Sequence, residues 1–327
     1  MNQEYVDTVR LLLAIAPAVF QSPRFALKGG TALNLFLHEM PRPSVDIDVV
    51  FTDHALGRED ALRAIAADLK AAKTAISALG YRASLPTTKS GDDVKLFVED
   101  NGLRIRVEVN FVFRGTVLPV TQRPLMPIAQ ELFTSDIVLP VLDPAELYGG
   151  KLVAALDRQH PRDMFDVLKM LGRFGWQPSF VDCFVAYLAG HNRPVHEVLF
   201  PKASALEPAF TNEFAGLTND EVALHLLERI QRRLMTELPR TLTQRHRDFL
   251  LSLVRAEPEW NLMPFAHLQR LPALQWKLRS ALTLSWTTLR PFEPHLHPKS
   301  DGRVLRILRR ALDARDVTLC RKRESSP

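Results

Sequence analysis

Cysteine is scarce: the 327 residues contain two, Cys183 and Cys320. They show neither metal-ligand spacing nor the density of a secreted disulfide scaffold, so a reducing cytoplasm is the expected location. Long apolar runs are missing too. No stretch approaches the ~20 residues that cross a bilayer, which removes the membrane-spanning class and a membrane partner. The segment LLLAIAPAVF at 11–20 follows Glu4 and Asp7, with Arg10 as its one preceding cation, and it reads as an amphipathic first helix rather than a targeting signal. Internal repeats and low-complexity segments do not stand out. The ten histidines are scattered, and the closest pair, His295 and His297 in EPHLHP, has no acidic or cysteine partner at zinc-ligand spacing.

What remains is a globular chain, 46% apolar and 24% charged, long enough for a sizeable core and about two domains. Its net charge of +5 is unevenly placed. From Arg229 onward there are 20 Lys and Arg against 9 Asp and Glu, whereas the first 228 residues hold 22 against 28. A basic final third is suited to a polyanion, with nucleic acid the foremost candidate and a solvated set of helix faces the alternative.

The pattern of elements changes along the chain. FALKGG followed by TALNLFL reads as strand, turn and helix, the helix stopping near Met40 because Pro41 and Pro43 cannot continue it. SVDIDVVF alternates as a strand does, and residues 58–79 repeat apolar positions at helical spacing up to Gly80. Strands over 94–100 and 103–113 flank Asn101-Gly102, a dipeptide favoured in type I′ hairpins. Residues 116–142 look like a connecting loop with one short strand. Asp143 is placed to cap a helix with Pro144 in its first turn and Glu146 three positions on, and another helix opens at Pro161. Beyond Gly172 no strand pattern survives. The expected class is α+β: a mixed-sheet domain over 1–172, then a basic all-α domain over 173–327 that binds nucleic acid or substrate.

The stretch from Lys28 to Asp48 carries the chemistry. Asp46 and Asp48 alternate with apolar residues on a strand, so their carboxylates project to one side, where they repel. A divalent cation relieves that repulsion, and hard oxygen ligands suit Mg²⁺ together with substrate phosphates. Ser44 shares their parity. Upstream, Gly29 and Gly30 have no side chains to keep a phosphate from the backbone, and the free N–H groups opening the next helix favour an anion. Lys28 or Thr31 adds a donor. The combination fits a nucleoside triphosphate with one or two Mg²⁺ ions. Glu108, on the polar face that alternates along LRIRVEVNF, is the candidate third acid, a solvent-facing charge being the alternative.

Further along, Lys151 lies in the capped helix, suited either to neutralising a leaving pyrophosphate or to reaching solvent over apolar neighbours. Asp163 and Asp166 are neighbours on one helical face near its N-terminus, where capping and an Arg162–Asp166 ion pair are the alternative to a catalytic role. WKLRSAL brings Trp276, Lys277 and Arg279 together in a segment that reads as a packed helix. Arg303, Arg306 and Arg310 fall on one stripe suited to a phosphate backbone.

The motifs KGGTAL, RPSVDID, YGGKLVAALDRQHPRDMFDVLKM and PALQWKLRSAL, in that order, resemble the AbiEii/AbiGii toxin family of nucleotidyltransferases, of the polymerase-β-like superfamily, over residues from about 5 to 312. The resemblance implies a small nucleotidyltransferase domain followed by a helical domain, in the toxin half of a bacterial toxin–antitoxin or abortive-infection system for phage defence. It implies a nucleotide-binding turn at Gly29, Gly30 and Thr31, with Lys28 beside it, and a metal-binding motif at Ser44, Asp46 and Asp48. It also implies a triphosphate contact at Lys151 and an RD-x-x-D motif at Arg162, Asp163 and Asp166. Glu108 has no family motif around it and rests on parity alone. The expected reaction is Mg²⁺-dependent transfer of NMP from an NTP to RNA, foremost tRNA, with a cognate antitoxin as a further partner. Transfer to a protein hydroxyl and non-catalytic nucleotide binding are the alternatives.

Overall fold

The computed structural model describes residues 3–86, 94–218 and 221–287 together with 306, 309 and 310. The chain divides into two compact units, one formed by 1–147 with 214–222 and the other by 148–213 with 223–327.

The first unit opens with α1 (Gln3–Val19), β1 (Phe25–Lys28), α2 (Gly29–Phe36), β2 (Ile47–Phe51), α3 (Arg58–Ala78), β3 (Arg82–Ser84), β4 (Lys95–Asp100) and β5 (Leu103–Asn110). It continues through β6 (Thr121–Pro124), α4 (Pro127–Phe133), β7 (Val138–Val141) and the start of α5 (Pro144–Arg158). The seven strands form one mixed sheet in the order β3-β4-β5-β2-β1-β7-β6. β2 runs antiparallel to β1 and parallel to β5. The α+β class expected from the sequence is the class observed.

Alternation in the sequence sets the two faces of this sheet. Ile105, Val107 and Val109 of β5, with Ile47 and Val49 of β2, are buried, and α1 packs on β5. The intervening Asp48, Arg106 and Glu108 remain partly exposed on the other face. The expected hairpin forms at Asn101 and Gly102, both with positive φ, and pairs Lys95 with Glu108 through Asp100 with Leu103.

Three local expectations change. Residues 116–142 hold two strands and a helix rather than one strand in a loop. Two of their prolines sit where the missing N–H costs little: Pro124 ends the edge strand β6 and Pro127 opens α4. α2 ends at Phe36 rather than near Met40, because the chain turns back with the Met40 N–H on the Asn34 carbonyl and Met40 at φ 52°. β2 begins at Ile47, so Ser44 to Asp46 precede the strand; their groups bond to side chains instead.

The second unit is helical among its described residues. After the remainder of α5 come α6 (Pro161–Phe174), α7 (Pro178–Ala189), α8 (Val195–Leu199), α9 (Glu207–Glu213), α10 (Leu224–Thr241), α11 (Gln244–Val254) and α12 (Pro272–Thr287). The glycines of YGGKL permit close helix contact: a β-carbon on Gly149 would stand 2.6 Å from the Cys183 Cβ and 2.7 Å from the Phe184 backbone nitrogen of α7. Cys183 is buried, and Cys320 lies outside the described residues.

Candidate active site

The polar face of the first unit is assembled by strand register. Lys28 of β1 stands opposite Asp48 of β2, Asp48 beside Glu108 of β5, and Glu108 opposite Lys95 of β4. Register partners project to the same side of a sheet, so two adjacent carboxylates, Glu108 and Asp48, flanked by Lys95 and Lys28, form one row across four strands. Arg106 lies one step back on β5 and donates from Nη2 to Asp46 Oδ2 at 3.0 Å. Its Nε is 3.6 Å from Glu108 Oε2, and Lys95 Nζ is 3.4 Å from Glu108 Oε1. The Asp46 and Arg106 side chains are 45% and 42% exposed, so this is a solvent-screened pair that a ligand can exchange.

The turn between β1 and α2 closes on the same carboxylates. Gly29 has φ +76°, and a β-carbon there would overlap the Asp48 carboxylate. At Gly30 a β-carbon would stand 2.7 Å from Ser44 Oγ and 3.0 Å from Arg42 Nη2. Thr31 Oγ1 lies 3.1 Å from Ser44 Oγ and donates to the Asp46 carbonyl at 2.5 Å. Asn34 donates to the Gly30 carbonyl at 2.8 Å. Thr31 therefore ties the start of α2 to the Ser44–Asp46 segment, and the Tyr5 hydroxyl holds that segment from α1, accepting from the Ser44 N–H at 3.4 Å. Burial pushes the Tyr5 phenol above its ordinary pKa, against the lowering effects of the Ser44 N–H and Arg42. That hydroxyl stays protonated at neutral pH.

α2 presents its unpaired N–H groups at this turn, and no side chain caps it at Lys28. An anion-attracting helix start thus adjoins two carboxylates. Among the described residues no three His, Cys, Asp or Glu side chains are grouped so as to hold a metal ion by themselves. The donor set still fits Mg²⁺, which is commonly bound through one or two carboxylates with water and substrate phosphates completing its shell. The N–H groups opening α2 at Gly29 and Gly30 are where such phosphates would bind.

Lys151, Arg162, Asp163 and Asp166 lie in the second unit, where Lys151, Asp163 and Asp166 form a cluster and Arg162 points elsewhere. Lys151 Nζ is 2.9 Å from Asp163 Oδ1 and 2.9 Å from Asp166 Oδ2, with its side chain 9% exposed and each carboxylate 4%. Asp163 also accepts from Arg158 Nε at 3.1 Å and Nη2 at 2.9 Å. Lys151 therefore does not reach solvent over its neighbours; it is the buried counter-ion of two acids. Arg162 sends Nη2 to the Glu213 carbonyl at 3.2 Å, and His160 Nδ1 caps α6 at the Arg162 N–H. Asp166 finds its cation in Lys151.

Several groups went unrecognised in the sequence. Arg42 is buried beside Gly30; its only signal is its place between two prolines, two residues before Ser44. Tyr5 has no signal at all. Glu146, read as a capping partner, is fully buried and accepts from the Val117 and Leu118 N–H groups at 2.8 and 2.9 Å, while Asp143 caps α5 through the Ala145 N–H. Trp276, expected in a packed helix, is 47% exposed, whereas Lys277 turns inward to the carbonyls of His191 and Arg193. Arg306 and Arg310 are helical and exposed; Arg303 and the pair His295 and His297 lie outside the described residues.

A mixed sheet bearing a glycine turn and strand-borne carboxylates is the arrangement of a nucleotidyltransferase, and known structures share the fold. The chain is similar to MenT4, a nucleotidyltransferase toxin from Mycobacterium tuberculosis H37Rv, with a TM-score of 0.52 and 21% identity over 76% of this chain and 86% of that one. The family model described as nucleotidyl transferase AbiEii toxin, type IV TA system, matches residues 10–280, and the chain belongs to that family. It is a nucleotidyltransferase toxin of a type IV toxin–antitoxin system, a membership that implies a nucleoside triphosphate substrate and a cognate antitoxin. No curated protein matches the sequence. Among the described residues no helix is long and apolar enough to cross a membrane.

Proposed function

We propose that this toxin transfers NMP from an NTP to an RNA hydroxyl, foremost on tRNA. The observation that carries the reading is the seating of the Asp48 carboxylate over Gly29, with Asp46 fixed beside it through Thr31. It places acceptors for a cation and donors for an anion side by side, as a triphosphate with its ion requires.

Asp46 and Asp48 would hold the Mg²⁺, which when bound lowers the charge on the phosphates and favours the deprotonated acceptor. The N–H groups at Gly29, Gly30 and Thr31 orient phosphate oxygens, and Lys28, in register with Asp48, adds a positive charge. Ser44 holds the turn through Thr31. The acceptor hydroxyl forms a bond to the α-phosphorus as the bond to the β-phosphate oxygen breaks, and pyrophosphate leaves. The hydroxyl proton passes to a carboxylate, and Glu108, beside Asp48 in register, is the proposed recipient. Arg106 must then release Asp46, an exchange allowed by the partial exposure of both groups.

The roles proposed in the second unit rest on its own cluster. Lys151 is proposed as a phosphate contact, Asp163 and Asp166 fix its ammonium, and Arg162 lies at the start of the same helix. RNA is favoured as acceptor by the basic final third of the chain.

Incubation of the protein with each α-labelled NTP, total RNA and cell protein tests the proposal. Label is expected in RNA and lost in Asp48→Asn. Label in protein instead assigns a protein hydroxyl, and label in neither contradicts transfer.

A further inference from the structure

α10 carries its cations on one side. His225, Arg229, Arg232, Thr236 and Arg240 recur at steps of three or four and are exposed, whereas Leu227, Ile230, Leu234 and Leu238 are buried. At ~1.5 Å per residue the line from Arg229 to Arg240 is roughly 16 Å long.

The rotation of this helix is fixed from inside. Gln231, buried, donates from Nε2 to Gln159 Oε1 at 2.7 Å and to the Ser204 carbonyl at 2.9 Å, and α10 packs on α6. These bonds hold the arginine side of α10 outward. Its charge is offset near Glu237, whose carboxyl Arg233 first and Arg240 as well hold below its ordinary pKa. Glu237 is occupied by Arg233 at 2.8 Å and by Trp176 Nε1 at 2.9 Å. Among the described residues no carboxylate forms an ion pair with Arg229, Arg232 or Arg240.

We infer that the outer face of α10 is an RNA-backbone track on which Arg229, Arg232 and Arg240 each engage a phosphate. All three are arginine, whose planar fork matches phosphate oxygens in pairs. The apolar side of the helix is consumed in the core, so the track lacks the exposed apolar face with which an amphipathic helix enters a membrane. Like charges left unneutralised on a folded surface repel, and a polyanion relieves that repulsion. The inference rests on the proposed RNA acceptor and names the surface that holds it.

The test compares the full-length protein with the triple variant Arg229→Gln, Arg232→Gln and Arg240→Gln, using unfractionated tRNA as probe between 50 and 200 mM salt. Substitutions on an exposed face leave the melting curve and NTP binding unchanged. Each lost phosphate contact removes about 0.7 to 0.9 from the slope of log K against log salt, so the variant's slope is shallower by about 2 to 3 and its low-salt affinity falls at least about tenfold. An unchanged slope and affinity in the folded variant, absence of tRNA binding by the parent protein, or loss confined to anionic vesicles overturns the inference. Nucleotide transfer to RNA with undiminished tRNA binding by the variant rejects the track alone. Variant-sensitive tRNA binding without any nucleotide transfer rejects the transferase reading alone.

Discussion

The Asp48 carboxylate lies against the α-carbon of Gly29, and that glycine holds φ +76° to let it do so. A side chain there meets both objections at once, backbone strain of about 1–3 kcal/mol and overlap with the carboxylate. Gly29→Ala is expected to abolish nucleotide binding, measured by calorimetric titration, and to lower the melting temperature.

Lys151 between Asp163 and Asp166 makes a second, separate prediction. Removing the buried ammonium takes the Lys151 charge from Asp166, which is 4% exposed, while Asp163 keeps Arg158, at a cost of about 3–5 kcal/mol. Lys151→Met should show that loss in urea unfolding. Adding Asp166→Asn to the same protein should recover part of the stability without recovering transfer.

Glu146 has no expected part in the chemistry, yet its two oxygens satisfy the Val117 and Leu118 N–H groups inside the first unit. Glu146→Ala strands both donors and is expected to cost about 2 kcal/mol or more, whereas Glu146→Gln, which keeps one acceptor, costs less. Chemical denaturation of the two variants separates them.

His191 gives the fold an acid-sensitive point. Burial, aided by Lys277 and Arg193 and opposed by Asp157, holds its pKa below the ordinary 6.5. Its Nδ1 accepts from the Arg193 N–H at 3.2 Å, which requires the neutral ring. The folded chain binds this proton less readily than the unfolded chain. The contribution is therefore present above about pH 6.5 and is lost as pH falls through the lower folded value. Melting temperature followed from pH 7.5 to 5 should drop more steeply in the parent than in His191→Asn, which keeps an acceptor and does not titrate.

Much of this was legible in the sequence because the responsible signals are local. Alternation along LRIRVEVNF predicts both faces of β5, Asn101-Gly102 predicts the hairpin, and Asp143 predicts the start of α5. The proximity of KGG to DID follows from two antiparallel strands joined by one helix. What escaped depends on contacts distant in the chain. The prolines of residues 116–142 suggest a loop, because composition does not tell an edge strand from a loop. Tyr5 reaches Ser44, and Glu146 reaches Val117, across separations that no spacing rule encodes. The fate of Lys151 turned on α6 supplying two acids from positions twelve and fifteen residues on.

The central claim is that Asp46 and Asp48 form the ion-binding edge of a triphosphate site at the Gly29-Gly30 turn. A crystal structure with a non-hydrolysable NTP analogue and Mg²⁺ tests it most directly. The account predicts the cation on both carboxylates, phosphate oxygens on the N–H groups of the turn, and Arg106 released from Asp46. Nucleotide bound elsewhere, with Arg106 still on Asp46 and no cation beside Asp48, would contradict it.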